Sequence, residues 1–249
     1  MTLYRITLIS LLLCLLPAVA LEAKTAAVPA SITPNPRLVS YKWMSLAEWY
    51  ELHAQDVALA TEGSAPLVFI GDSITQGWNF AGQKYWDEAF EPLGAINFGI
   101  GGDTTQNLLW RLQYGATENL DPKAVILLIG TNNFSFSHGD KPETIAAGVI
   151  AVVDQLTLSY PNADILLIGV FPRSELPDHH LRTGIKRVNS IISQLDTREQ
   201  VTYLDISNQL LEADGSLSKE VMPDFLHLSE EGYRRWMESI RPWIEKRVP

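Results

Sequence analysis

The chain has 249 residues, of which 46% are apolar and 19% charged, enough for one sizeable globular domain and unlike a disordered chain. Its formal net charge is −10, with 19 Lys and Arg against 29 Asp and Glu. That balance excludes a nucleic-acid binder and a polybasic membrane-surface protein, both of which need clustered cations.

Residues 1–20 read as an export signal. Arg5 supplies the positive start, Ile6 to Leu16 form a short apolar run, and Pro17 leads into Ala18-Val19-Ala20, a cleavage pattern of small residues. The run is too short for a membrane span, which needs ~20 apolar residues. Cleavage after Ala20 would leave 18 basic against 29 acidic residues, a net charge of −11. It would also remove Cys14, the sole cysteine, and with it any disulfide or thiol nucleophile. The expected location is the periplasm or the medium, with no stable membrane insertion after cleavage. Residues 21–40, rich in Ala, Pro, Ser and Thr, read as a linker or extended arm ahead of a domain over 41–249.

Ser45 and Glu48 have the spacing of a capping box, with Met44 and Trp49 as its hydrophobic staple. Leu46, Trp49, Tyr50, His53, Val57 and Ala60 then share one helical face, and His53 is expected in the core. Short apolar runs follow at Leu67–Ile70, Ala95–Phe98, Ala124–Ile129, Ile165–Val170 and Val201–Leu204. Several are continuously apolar, as parallel strands buried on both faces are. Helical patterns lie between and after them: Ile145, Val149, Val152, Val153 and Leu156; Ile185, Val188, Ile192 and Leu195; Tyr233, Trp236, Met237, Ile240 and Ile244. Alternation of this kind predicts an α/β fold with a doubly wound parallel sheet.

Such sheets bind ligands beyond the carboxyl ends of their strands, so the residues after each strand carry the functional signal. The first strand runs into Gly71-Asp72-Ser73-Ile74-Thr75, the second into Asn97 to Asp103, and the third into Gly130-Thr131-Asn132-Asn133. Asp224-Phe225-Leu226-His227 precedes the last helix. Singly, each has an innocent explanation. Ser73 can cap a helix, Asp103 and Gln106 can form another capping box, and Asp224 can cap a turn. Together they deliver a serine, a glycine amide, an asparagine and an Asp–His pair to one edge of one sheet, the parts of an acyl-transfer site. Ser73 is the candidate nucleophile, His227 its base, and Asp224 the carboxylate that orients the imidazole. The Ser73 and Gly102 N–H groups and the Asn132 side-chain amide are candidate oxyanion donors.

These segments resemble blocks I, II, III and V of the GDSL/SGNH hydrolase family. Ser73, Gly102, Asn132 and His227 match its four namesake residues, and Asp224 its triad acid. Phe69 to Ser73, Asn97 to Asp103, Leu109-Trp110-Arg111-Leu112, Pro172-Arg173 and Asp224 to Ser229 are similar to the branch formed by the catalytic subunits of intracellular platelet-activating factor acetylhydrolase. The resemblance covers roughly residues 41–245. It implies a flavodoxin-like three-layer α/β/α sandwich on a five-stranded sheet; no cofactor and no metal are expected, since no Cys or carboxylate cluster with ligand spacing stands beside the histidines. It also implies that Ile74, Thr131 and Leu226 wall the acyl site. Phe134 and Phe136 can wall the pocket or plug the sheet end, and Phe134 is placed on its far side. His138, His179 and His180 lack ligand spacing and read as solvent-loop residues. Arg173 can meet a polar or anionic leaving group or form a surface salt bridge.

The expected function is an exported serine esterase acting on short-chain, chiefly acetyl, esters of a carbohydrate or lipid-like alcohol. The alternatives are a lipase or thioesterase with a longer acyl pocket, and a non-catalytic carbohydrate-binding protein. The expected partner is a small-molecule ester. Nucleic acid is excluded, and self-association into a homodimer is left open.

Overall fold

The computed structural model describes residues 30–135 and 140–248. The export signal with Cys14, the first part of the arm, Phe136 and His138 lie outside the described residues. Five strands form one parallel sheet: β1 (Leu67–Gly71), β2 (Ala95–Gly99), β3 (Ala124–Leu128), β4 (Asp164–Ile168) and β5 (Val201–Leu204). Their order is β2-β1-β3-β4-β5, so the chain reverses its direction of winding between β1 and β3. Each strand lies within two residues of the apolar run that announced it.

Both faces of the sheet are covered. Alternate side chains of one strand point to opposite faces. Val68 and Ile70 therefore join one core with Leu127, Leu167, Val149 and Val188, while Leu67 and Phe69 join another with Ile126, Trp78, Trp86 and Trp236. The first core carries α4 (Thr105–Gln113), α5 (Pro142–Ser159) and α6 (His180–Ile192). The second carries α2 (Ser73–Gln76), α3 (Gln83–Ala89), α7 (Ser207–Leu210) and α8 (Glu230–Ile244). The result is the three-layer α/β/α sandwich. The predicted apolar faces of α5 and α8 are buried throughout, while Leu195 falls in a 3-10 turn just beyond α6. Burial of each such side chain stabilises the fold by ~1.5–3 kcal/mol.

Helix α1 (Leu46–Glu62) begins as expected, with the Ser45–Glu48 capping box formed and Met44 packed with Trp49. Its inner face differs from the expected one. Tyr50 is 41% exposed, and Asp56, which sequence periodicity assigns to solvent, is buried instead. The cause is a long-range partner: Arg111 Nη1 donates to Asp56 at 2.9 Å. His53 is in the core, beside Trp49 and Trp110, and burial pushes its imidazole down to about 4. His179 does not sit free in solvent: its Nδ1 accepts from Leu181 N–H and caps α6.

The described part of the arm is tied down. Thr105 Oγ1 donates to Ser31 O, Ser31 Oγ donates to Thr144 O, and Asn35 N–H donates to Gln106 O. Arg37 is buried against Gly101 and Asp103. Residues 31–37 are thus a strap across α4 and α5 rather than a free tether. Among the described residues, no helix is long and apolar enough to cross a membrane.

Candidate active site

The turn from β1 into α2 presents the serine. Asp72 caps α2, its Oδ1 accepting from Ile74 N–H at 3.0 Å, so the capping role falls to Asp72 and Ser73 opens the helix with its hydroxyl not used as the cap. First-turn N–H groups of a helix have no intrahelical partner, which leaves the Ser73 N–H available to an oxyanion. Ser73 Oγ lies 3.0 Å from His227 Nε2, across 154 residues of chain. His227 Nδ1 lies 2.7 Å from Asp224 Oδ2. The other oxygen, Oδ1, accepts the N–H groups of His227 (2.7 Å) and Leu226 (3.0 Å), so the loop wraps around its own carboxylate. Burial pushes the Asp224 carboxyl up, but these hydrogen bonds prevail and hold it below its ordinary value. It therefore stays ionised and fixes the imidazole with Nδ1 protonated and Nε2 facing the serine.

The oxyanion side is built from the β2 and β3 ends. Gly102 has φ +76°, a left-handed conformation that glycine adopts without strain. Space also requires glycine: a Cβ here would come within 2.8 Å of the Trp43 ring and 3.0 Å of Arg37 Nη2 and of the Tyr41 ring. Asn132 Nδ2 donates to Asp103 O at 3.0 Å, which anchors the amide. An amide nitrogen has two hydrogens, so the second remains for a ligand.

Asp103 is not the helix cap that its spacing suggested. The cap of α4 is Thr104, boxed with Asn107. The Asp103 carboxylate is buried instead among Arg111 Nε (2.7 Å), Trp49 Nε1 (2.7 Å) and Arg37 Nη2 (3.3 Å). Arg37 Nη2 also donates to Gly101 O at 2.5 Å, and Arg111 Nη2 to Gly71 O and Phe98 O. One buried charge cluster thus holds the carbonyls on either side of the catalytic turns.

A pocket of about 530 Å³ opens above these groups, with Ser73, Gly102, Asn132, His227 and Leu226 in its lining. Three of the four expected acyl-site residues are placed elsewhere. Ile74 is 1% exposed, its side chain turned into the core beside Trp78 because α2 runs back over the sheet. Thr131 is buried under the block III turn, where its carbonyl accepts from Arg173. Phe134 packs against the α5–α6 core and abuts Gly184, the plugging role. Leu226 alone of the four lines the pocket. Sequence reasoning missed Trp43, Gln76, Phe80 and Tyr233, which also line the pocket. Trp43 and Phe80 are 59% and 70% exposed. Their one sequence signal was large aromatic character just before α1 and just after the Ser73 turn.

Asp72 beneath the serine is fully enclosed, and burial, against the Ile74 N–H bond, pushes its carboxyl up to about 7. Among the described residues, no three His, Cys, Asp or Glu side chains form a metal-binding group.

A serine, an imidazole and a carboxylate in hydrogen-bonded sequence, facing an anchored amide and a left-handed glycine, define a serine hydrolase site. Residues 69–235 match the GDSL-like Lipase/Acylhydrolase family, and the chain belongs to that family. It is a carboxylic-ester hydrolase of the GDSL type. The chain is 38% identical over 186 residues to a Bos taurus protein named platelet-activating factor acetylhydrolase IB subunit alpha1, a match covering 74% of this chain and 77% of the relative. Two solved structures share the fold. One is a GDSL-like lipase from Bacteroides thetaiotaomicron, with TM-score 0.62 and 18% identity over 78% of this chain and 97% of that one. The other is a carbohydrate acetylesterase from Sinorhizobium meliloti, with TM-score 0.58 and 20% identity over 74% and 99%.

Proposed function

We propose that this protein is an exported esterase that removes acetyl and other short acyl groups from a carbohydrate or lipid-like alcohol through an acyl-Ser73 intermediate. The observation that carries the mechanism is the continuous chain Ser73 Oγ–His227 Nε2–Asp224 Oδ2, with links of 3.0 and 2.7 Å, whose Ser73 and His227 line the pocket. Ser73 Oγ attacks the acyl carbon and passes its proton to His227 Nε2. The resulting oxyanion is received by the N–H groups of Ser73 and Gly102 and the Asn132 amide. Collapse expels the alcohol, which takes the proton from His227. Water then attacks the acyl-Ser73 ester by the same route, releasing the acid and restoring the serine.

The short acyl preference is supported by the floor of the site. Ile74 is packed beneath the nucleophile, and Tyr233 Oη donates to Ile74 O at 2.7 Å, which braces that floor. The relative named an acetylhydrolase and the neighbour named a carbohydrate acetylesterase agree with it. Export rests on the pattern of residues 1–20, and the mass of the mature protein tests it, with Leu21 as the expected first residue. A second reading has one observation in its favour. The exposed rings of Trp43 and Phe80 at the pocket mouth can support a longer acyl chain lying along the surface. A p-nitrophenyl ester series below micelle-forming concentrations separates the two. Acetate and propionate are expected above butyrate, with octanoate poor. Octanoate equal to acetate would establish the lipase reading instead, and failure of Ser73 to label with a fluorophosphonate would leave only a binding protein.

A further inference from the structure

Arg173, just beyond β4, makes no salt bridge among the described residues. Eight of the ten described arginines pair with a carboxylate; Arg173 and Arg182 do not. Its Nη1 is committed to the block III turn, donating to Ser135 Oγ (3.0 Å), Thr131 O (3.2 Å) and Thr131 Oγ1 (3.4 Å). Nε and Nη2 have no hydrogen-bond partner among the described residues. The side chain is half-buried, and it lines the same pocket as Ser73 and His227. Two acids lie near enough to be felt, and neither meets it in a salt bridge. Asp224 is committed to His227, and Asp72 is enclosed beneath Ser73 with burial favouring its neutral form. A guanidinium held by one nitrogen presents its other edge as a fork suited to two oxygens of one anion.

The sheet order gives this charge a direction. Along the carboxyl edge, Trp43 and Gly102 stand at the β2 end, Ser73 at β1, Asn132 at β3 and Arg173 at β4. The cleft is therefore apolar at one end and cationic at the other, with the nucleophile between. An acetyl group bears no charge, so a charge on the substrate belongs to its alcohol.

We propose that Arg173 is a specificity-determining residue whose Nε and Nη2 bind a phosphate or carboxylate on the alcohol side of the ester. The natural substrate is then an acyl ester of an anionic alcohol. This rests on the esterase reading above, and the test separates the two. The full-length mature enzyme is assayed at about pH 8, where a phosphate monoester is dianionic, on two matched pairs. The first is acetylglycerol phosphate against acetylglycerol; the second is 4-acetoxybenzoate against its methyl ester. p-Nitrophenyl acetate serves as the neutral reference. Wild type is expected to favour the anionic member of at least one pair by ~10–100-fold in kcat/KM, the span of a hydrogen bond to a charged group. The pair that shows it identifies phosphate or carboxylate. The preference should shrink as salt is raised. Arg173→Gln should slow every ester, because it also loosens Thr131, but should collapse the anionic-to-neutral ratio toward one by raising KM for the anion. Arg173→Lys should restore part of that ratio. No wild-type preference in either pair, or a ratio unchanged in Arg173→Gln, would reduce Arg173 to a brace for the Asn132 turn and overturn the proposal. No turnover of any ester by wild type would overturn the esterase reading itself.

Discussion

The two sides of the catalytic cleft are built on opposite principles. On the oxyanion side, Arg111 and Asp103 have fully buried side chains, Arg37 is 2% exposed and Asp56 10%. On the acid–base side, His227 and Asp224 are 46% and 55% exposed. Oxyanion donors work by being in place before charge develops, so the frame behind them gains from rigidity. Dehydrating four charges is costly, and the cluster is tolerable only because each has a partner. In the proposed mechanism His227 instead exchanges a proton with Ser73, the alcohol and water in every cycle. Half-exposure keeps that proton in contact with solvent, and the Asp224 turn supplies orientation through short hydrogen bonds rather than through burial.

This contrast predicts that the two sides break differently. The largest effect is expected on the exposed side. Ser73→Ala and Asp224→Asn should each lower kcat by ~10⁴-fold or more, while thermal unfolding moves little, since neither vacates a buried site. A large drop in Tm for Asp224→Asn would show that the exposed loop is structural after all. Arg111→Met should do the reverse. It leaves Asp103 and Asp56 buried without their shared cation, which should lower stability by ~3–5 kcal/mol, read as a fall of ~10 °C in a calorimetric scan. A Tm within ~2 °C of wild type would mean that the cluster is looser than its distances imply.

Asn132→Ala lies where the two sides meet and should lower kcat by ~10²–10³ with a smaller change in KM, the size of losing one oxyanion donor. A change confined to KM would assign Asn132 to substrate binding. Asp72→Asn is expected to act on stability, and to do so through pH. A carboxyl raised to about 7 in the folded state and near 4 when unfolded binds more protons folded than unfolded between those values. Wild type therefore loses stability from this group as pH rises from about 4 to about 7, and the loss is full above about 7. Asparagine cannot ionise. Urea titrations should show the variant gaining on wild type by on the order of 4 kcal/mol across that range, about 1.4 kcal/mol for each pH unit between the two values, and a pH-independent difference would exclude an ionising Asp72.

How much of the site was legible depended on how local each signal is. Leu67 to Ser73 reads as a strand entering a serine turn because pleat, glycine and helix start follow one another within a few residues. Asp224 to His227 reads as an acid–base pair because both partners lie on one loop. The sheet supplied what joined them, since strands of a parallel sheet end on one edge and their following loops meet there. Composition, strand positions, the doubly wound class and the set Ser73, Gly102, Asn132, Asp224 and His227 were all readable from the chain alone.

The direction of each side chain was not readable. Ile74 and Thr131 flank catalytic residues in sequence, yet Ile74 points into the core and Thr131 is buried under its own turn against Arg173, because successive residues of a tight turn face different ways and the adjoining helix packs Ile74 down. Asp56 and Asp103 look like solvent and cap positions until Arg111 and Arg37 arrive from 55 and 66 residues away. Arg37 itself lies in a segment whose composition resembles a tether. A buried charge is stable only beside its partner, and partners distant in sequence meet only once the sheet and helices have packed. The sequence determined which groups reach the edge of the sheet; tertiary packing decided which face the pocket, which hold the turns, and which charge was left open to the cleft.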